Sequence, residues 1–131
     1  MSGGKTRDQR RASDAWAAIE SIRKHDKCGD IVRAAKKLPI RIHTAGLGHA
    51  VQFVKAKERK AKERTETLVS LLSRWVLDGR GDDLPKAIRE GDADSLRRQT
   101  AEALAWLQWF NRFAEAEFRE ELTTMDGGEE A

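Results

Sequence analysis

From Asp94 to about Leu122 the chain keeps its apolar residues at helical period, and a helix of nearly thirty residues leaves a 131-residue chain little choice but to build its core around it. With Leu96 at zero on a wheel of about 100° per residue, Ala103, Leu107, Phe110, Ala114 and Phe118 fall within about 40°. Leu104, Trp106 and Phe113 flank them at about 80–100°, an arc wider than a surface helix needs, so the spacing predicts a spine covered on more than one side. Trp109 is set apart, about 140° from the stripe centre, in the sector of Arg98, Glu102 and Arg112. It reads as a lid under a neighbouring helix, or as an interface anchor or base-stacking surface with Arg112 one turn away to take a phosphate.

The remaining segments share the helical period. Ala12, Ala15, Trp16, Ile19 and Ile22 define a first helix from Asp8, ending between Asp26 and Gly29. Asp30 caps a second, with Ile31, Ala34, Ala35 and Leu38 inward, which Pro39 should break or bend before a short helical turn over residues 40–45. Gly46 and Gly48, read as close-packing positions, bracket the start of a third helix carrying Leu47, Ala50, Val51 and Val54. Residues 65–77 form a fourth, stopped at Gly79 and Gly81; Asp83 and Pro85 open a short fifth, closed by Gly91; Asp92 or Asp94 opens the spine. No Tyr and no sustained alternation of β-branched and polar residues argue for strands. The expected fold is therefore all-α: one domain over residues 1–131, a bundle of about six helices with the long C-terminal helix as spine, a flexible basic N-terminus (1–7) and a flexible acidic tail (123–131).

Charge is divided along the chain. Residues 1–64 carry 17 Lys+Arg against 7 Asp+Glu, whereas residues 65–131 carry 8 against 15. The basic half suggests a polyanion-facing surface, and the opposite signs suggest head-to-tail contact between copies. The run Lys55–Arg64, in which KAKER occurs twice, reads either as a solvated helix face or as a row of phosphate contacts. Lys36, Lys37 and Arg41 form a second basic cluster around Leu38 and Pro39.

Catalytic patterns are missing. His25, His43 and His49 show no metal-ligand spacing, and there is no HExxH, CxxC, Walker A or nucleophile elbow. GRGDD at 79–83 reads as a loop with a helix cap. Cys28 stands alone, and no apolar run is long enough to span a membrane or serve as an export signal. The expectation is a cytoplasmic protein with no catalytic residues, metal, cofactor, membrane partner or small-molecule substrate.

Two blocks, AAKKLPIRIHTAGLGHAVQFVKAK (34–57) and RRQTAEALAWLQWFNRFAEAEF (97–118), together resemble the small subunit, subunit five, of the type III-B CRISPR RAMP module (Cmr) effector complex. The resemblance rests on Leu38, Pro39, Gly46, Leu47 and Phe53, then on Thr100, Glu102, Ala103, Leu104, Trp109, Arg112, Phe113, Ala114 and Glu115. The chain departs from the family at Leu96, near which relatives often carry Tyr, and at Asn111, where they often carry a basic residue. The resemblance implies a non-catalytic subunit that stacks in copies beside the crRNA backbone subunits and holds target RNA against the guide. Such a subunit leaves sequence reading to base pairing and needs only phosphate and shape contacts. On this reading Lys36, Lys37, Arg41, Lys55, Lys57 and Arg112 face RNA phosphates and Trp109 lies at an interface. The partners are other Cmr subunits, copies of the chain itself, crRNA and target RNA. The alternatives are a helical protein–protein adaptor without nucleic-acid contact and a small helix-turn-helix DNA regulator, which the Gly46–Lys57 segment fits only loosely.

Overall fold

The computed structural model of the chain describes residues 4–58 and 66–128, with side chains through Thr123. Every regular element among them is a helix, and four of these begin where a side chain offers the N-terminal amides an acceptor. Thr6 and Gln9 close a capping box on α1 (Arg7–Ile22), with Thr6 Oγ1 accepting from Gln9 N and Gln9 Oε1 from Thr6 N. Thr67 and Ser70 repeat the device on α4 (Leu68–Leu77). Asp83 caps α5 (Leu84–Glu90) and Asp92 caps α6 (Ala93–Glu117), each through its carboxylate. α3 (Leu47–Glu58) begins directly behind the C-terminus of α2 (Cys28–Ala45), and α7 (Arg119–Gly128) follows α6.

Of the two outcomes expected at Pro39, a break or a bend, the break does not occur. The ring removes the N–H that would bond the carbonyl of Ala35, four residues earlier. That carbonyl accepts instead from the Asn111 carboxamide of α6, at 2.9 Å. With the orphaned acceptor satisfied from outside, α2 runs through to Ala45, and residues 40–45 are its last turns rather than a separate helix. Gly46 ends it with φ +90°, a conformation that glycine adopts without strain, so turn geometry rather than packing requires this residue. Gly48 faces α5, where a Cβ would sit 3.4 Å from Ile88 Cγ2, at the edge of ordinary van der Waals contact.

α6 is the expected spine, packed against α1, α2, α4 and α7. Ala103, Leu107, Phe110, Ala114 and Phe118 are buried, and so is Trp106, whose ring stacks on Phe110 and whose Nε1 donates to Asp14 of α1. Leu96, the assumed stripe centre, is 38% exposed, because the first turn of α6 lies outside the helices that cover the rest. The spine is also shorter than expected at its far end. Phe118 leaves helical geometry (φ −126°, ψ 44°), and the bend turns α7 against α2, so that Leu122 joins the core and Arg33 donates to the carbonyl of Glu121. The bundle thus has seven helices among the described residues, and α7 runs over much of the segment expected as a tail.

Candidate nucleic-acid interface

The one-residue connection at Gly46 folds α2 and α3 into a tight hairpin, which brings side chains distant in sequence to the same cleft. Lys37 and Arg41 lie one turn apart on α2; Phe53 and Lys57 lie one turn apart on α3. Phe53 is 45% exposed, with the Arg41 guanidinium carbon 4.3 Å and the Lys57 ammonium 4.9 Å from its ring centroid. Beside the ring opens a cleft of about 240 Å³ lined by Arg33, Lys37, Arg41 and Lys57, with Asp30 and Glu58 at its side. Among the described residues, neither Arg41 nor Lys57 lies within ion-pair distance of a carboxylate. Two cations therefore share one aromatic ring with no carboxylate ion-paired to either among the described residues, a site where an incoming phosphate removes their mutual repulsion.

Of the six residues expected to meet phosphates, Lys37, Arg41 and Lys57 converge here. Lys36 is exposed on the neighbouring sector of α2, Lys55 is half-buried on α3, and neither lines the cleft. Arg112 is exposed on α6, beside the Asn111 that serves α2. The second KAKER, residues 60–64, lies outside the described residues. Phe53 and Arg33 were missed as site residues. Phe53 falls twelve positions after Arg41, a spacing that says nothing until the turn at Gly46 is known.

The other candidate sector, around Trp109, is internally paired. α1 and α6 run parallel, since Arg11, Asp14, Trp16 and Arg23 meet Glu102, Trp106, Phe113 and Glu117 in the same order. Trp109 Nε1 donates to Asp8 at 3.1 Å and its ring lies 5.7 Å from Phe113, so its contacts within the chain are those of a cap on α1. Two turns back, Glu102 joins three helices: Arg7 and Arg11 of α1 bond its oxygens at 2.7–3.0 Å, and Trp75 Nε1 of α4 donates at 3.0 Å. The Arg11 guanidinium foremost, then Arg7 and the Trp75 N–H, hold the Glu102 carboxyl down from an ordinary 4.5 to about 2.

No group of three His, Cys, Asp or Glu among the described residues could hold a metal ion. Burial pushes the Cys28 thiol up, away from the thiolate that nucleophilic chemistry needs. No described helix is long and apolar enough to cross a membrane.

The chain is similar to known proteins. The family described as CRISPR-associated protein (Cas_Cmr5) matches residues 7–117. A protein of Thermus thermophilus, the CRISPR system Cmr subunit Cmr5, is 34% identical over 113 residues, covering 86% of this chain and 96% of the relative. The crystal structure of a CRISPR-associated Cmr5 family protein from the same organism superposes with a TM-score of 0.71 at 34% identity, covering 86% of this chain and 97% of that one. The match spans the cleft of α2 and α3, the Glu102 junction and the α6 spine, and the chain belongs to the Cmr5 family of CRISPR-associated proteins.

Proposed function

We propose that this chain is a non-catalytic, RNA-binding small subunit of a type III-B CRISPR (Cmr) interference complex, and that it grips RNA backbone in the cleft between α2 and α3. The observation that carries the reading is the pair of cations on Phe53, Arg41 and Lys57, which have no carboxylate within ion-pair distance among the described residues. Such a site holds phosphate without reading sequence, as an RNA-guided assembly requires of its protein components. Lys36 and Lys55 lie on the same two helices and extend the positive surface beyond the cleft; Arg112 would add a separate contact from α6. The division into a basic first half and an acidic second half favours copies stacked head-to-tail beside the crRNA backbone subunits, each acidic face against the next basic one.

The test is RNA binding by the purified chain and by the reconstituted complex as a function of salt. The wild-type chain is expected to bind unrelated single-stranded RNAs with similar affinity and with a negative slope of log K against log salt. Replacing Lys37, Arg41 and Lys57 together by Ala should weaken binding across all sequences and flatten that slope. Unchanged binding with intact assembly would remove the cleft from the RNA path and leave the adaptor reading.

A further inference from the structure

The cleft between α2 and α3 holds two carboxylates that phosphate binding by itself does not call for. Asp30 and Glu58 line it together with Lys37, Arg41 and Lys57. An acid beside a phosphate repels it, so a cleft that serves phosphate alone is better without one. The two acids differ in how they are held. Asp30 is exposed and accepts from Arg33 Nη2 at 2.8 Å, a surface pair three residues apart that offsets its charge. Glu58, the last residue of α3, is half-buried, and its Oε2 accepts from the backbone N–H of Val69 in the first turn of α4 at 3.2 Å. That bond positions the carboxylate at the wall of the cleft and is one of the about four hydrogen bonds that a carboxylate can accept.

Ribose supplies a donor that suits such an acceptor. Its 2′-hydroxyl is carried by the carbon next to the one that bears the 3′-phosphate, so a backbone phosphate on Arg41 and Lys57 brings a hydroxyl into the same space of about 240 Å³. We propose that Glu58 is a specificity residue of the cleft: its carboxylate accepts the 2′-hydroxyl of the nucleotide whose phosphate the cations hold, so that the site takes RNA in preference to DNA. The inference rests on the RNA reading above and adds the sugar to it. A ribose strand gains a charge-assisted bond to Glu58. A deoxyribose strand displaces water from the carboxylate, returns no donor, and leaves the repulsion between the acid and the phosphate in place. The choice is of sugar and not of base, which keeps sequence reading with the guide.

The experiment is a fluorescence titration of the full chain with three labelled uridine decamers, built on ribose, on 2′-deoxyribose and on 2′-fluoro-ribose, the last keeping the RNA-like sugar pucker without a donor. The wild type should bind the ribose strand about tenfold tighter than either of the others. Glu58→Ala should bind all three alike, and the deoxyribose strand at least as tightly as the wild type does. Its melting temperature should hold, because the Thr67–Ser70 capping box still starts α4. Asp30→Ala should retain the preference. K37A/R41A/K57A should weaken all three strands together, and this variant separates the two readings. Wild-type binding by the triple variant would overturn RNA binding in the cleft and the role of Glu58 with it. Weakened binding there, with no ribose preference in the wild type, would leave the RNA reading in place and overturn the role of Glu58 alone. A ribose preference that survives in Glu58→Ala, or a 2′-fluoro strand bound as tightly as the ribose strand by the wild type, would overturn it as well.

Discussion

The side of the bundle formed by α1 and α6 and the cleft between α2 and α3 are built from the same materials, arginines set against aromatic rings, yet they end in different electrostatic states. Arg7 lies 5.6 Å from the Trp75 ring and Arg23 lies 5.8 Å from both Trp16 and Phe118, but each also bonds a carboxylate, Arg7 to Glu102 and Arg23 to Glu20 and Glu117. Arg41 and Lys57 meet on Phe53 with no such partner among the described residues. A cation on a ring is thus no sign of function by itself. What separates the two regions, among the described residues, is whether a carboxylate bonds the cation on the ring, and that depends on which helices the fold makes neighbours.

If that division is right, substitutions on the α1–α6 side act on stability and substitutions in the cleft act on binding. The largest effect is expected from Trp106→Ala, which empties a fully buried site and removes the N–H bond to Asp14. It should cost about 3–5 kcal/mol in urea denaturation, while the molecules still folded bind RNA normally. Next comes the cleft. K37A/R41A/K57A should weaken single-stranded RNA binding about 100-fold at low salt and lower the salt slope by up to about 2, with stability changed by less than about 1 kcal/mol. A triple variant that melts early but still binds RNA would reverse the assignment of the two regions.

Asn111 crosses that boundary, since it sits on α6 and completes α2. Asn111→Leu should cost about 1–3 kcal/mol in the wild-type background by stranding the Ala35 carbonyl. Pro39→Ala restores a backbone N–H for that carbonyl, so in its background the loss should shrink, and a double-mutant cycle measured by thermal or urea unfolding reads the coupling. Additive effects would mean that Asn111 does not replace the missing bond.

This exchange also shows where the sequence stopped being informative. Helix existence was legible because apolar period and caps are local: Asp83 and Asp92 were read as the starts they are, whereas Asp30, read as a cap, lies within the first turn of α2, which begins at Cys28 without a side-chain cap. The continuation of α2 was not, because the group that rescues Pro39 lies 76 residues away from the carbonyl it bonds. The bend at Phe118 escaped for a like reason: the apolar period runs on to Leu122, and only packing against α2 decides that it turns. In the site, Lys37, Arg41 and Lys57 were legible as a basic surplus, whereas Phe53 acquires its place from the turn at Gly46. Glu102 sat among the charges of the Trp109 sector with no role assigned, and the parallel approach of α1 turned it into a junction.

Glu102 tests the paired region through pH. Its carboxyl titrates near 2 in the folded chain against an ordinary 4.5, so its ionised form stabilises the fold fully above about pH 5, and that contribution is lost as pH falls from about 4.5 toward 2. Allowing for solvent screening of a partly exposed group, the amount is about 1–2 kcal/mol. Glu102→Gln should lower the melting temperature at pH 7 and flatten the wild-type decline between pH 5 and 3. RNA affinity at pH 7 should not follow. A variant that keeps the acid decline would place its origin in other carboxylates.

The smallest effect is expected at Trp109, which the division assigns to the paired region, where its sequence position had left a packing lid and an interface anchor both open. Phenylalanine at this position keeps the ring contact with Phe113 and loses the N–H bond to Asp8. Asp8 still accepts from Arg11 at 3.2 Å, so no acceptor is left stranded, and Trp109→Phe should cost only about 0.5–1 kcal/mol. RNA affinity and incorporation into the complex should remain at wild-type levels. Normal stability with lost incorporation, read by co-purification with the other subunits, would instead make the half-exposed indole an interface anchor, because a single exposed hydrogen bond cannot account for a lost assembly.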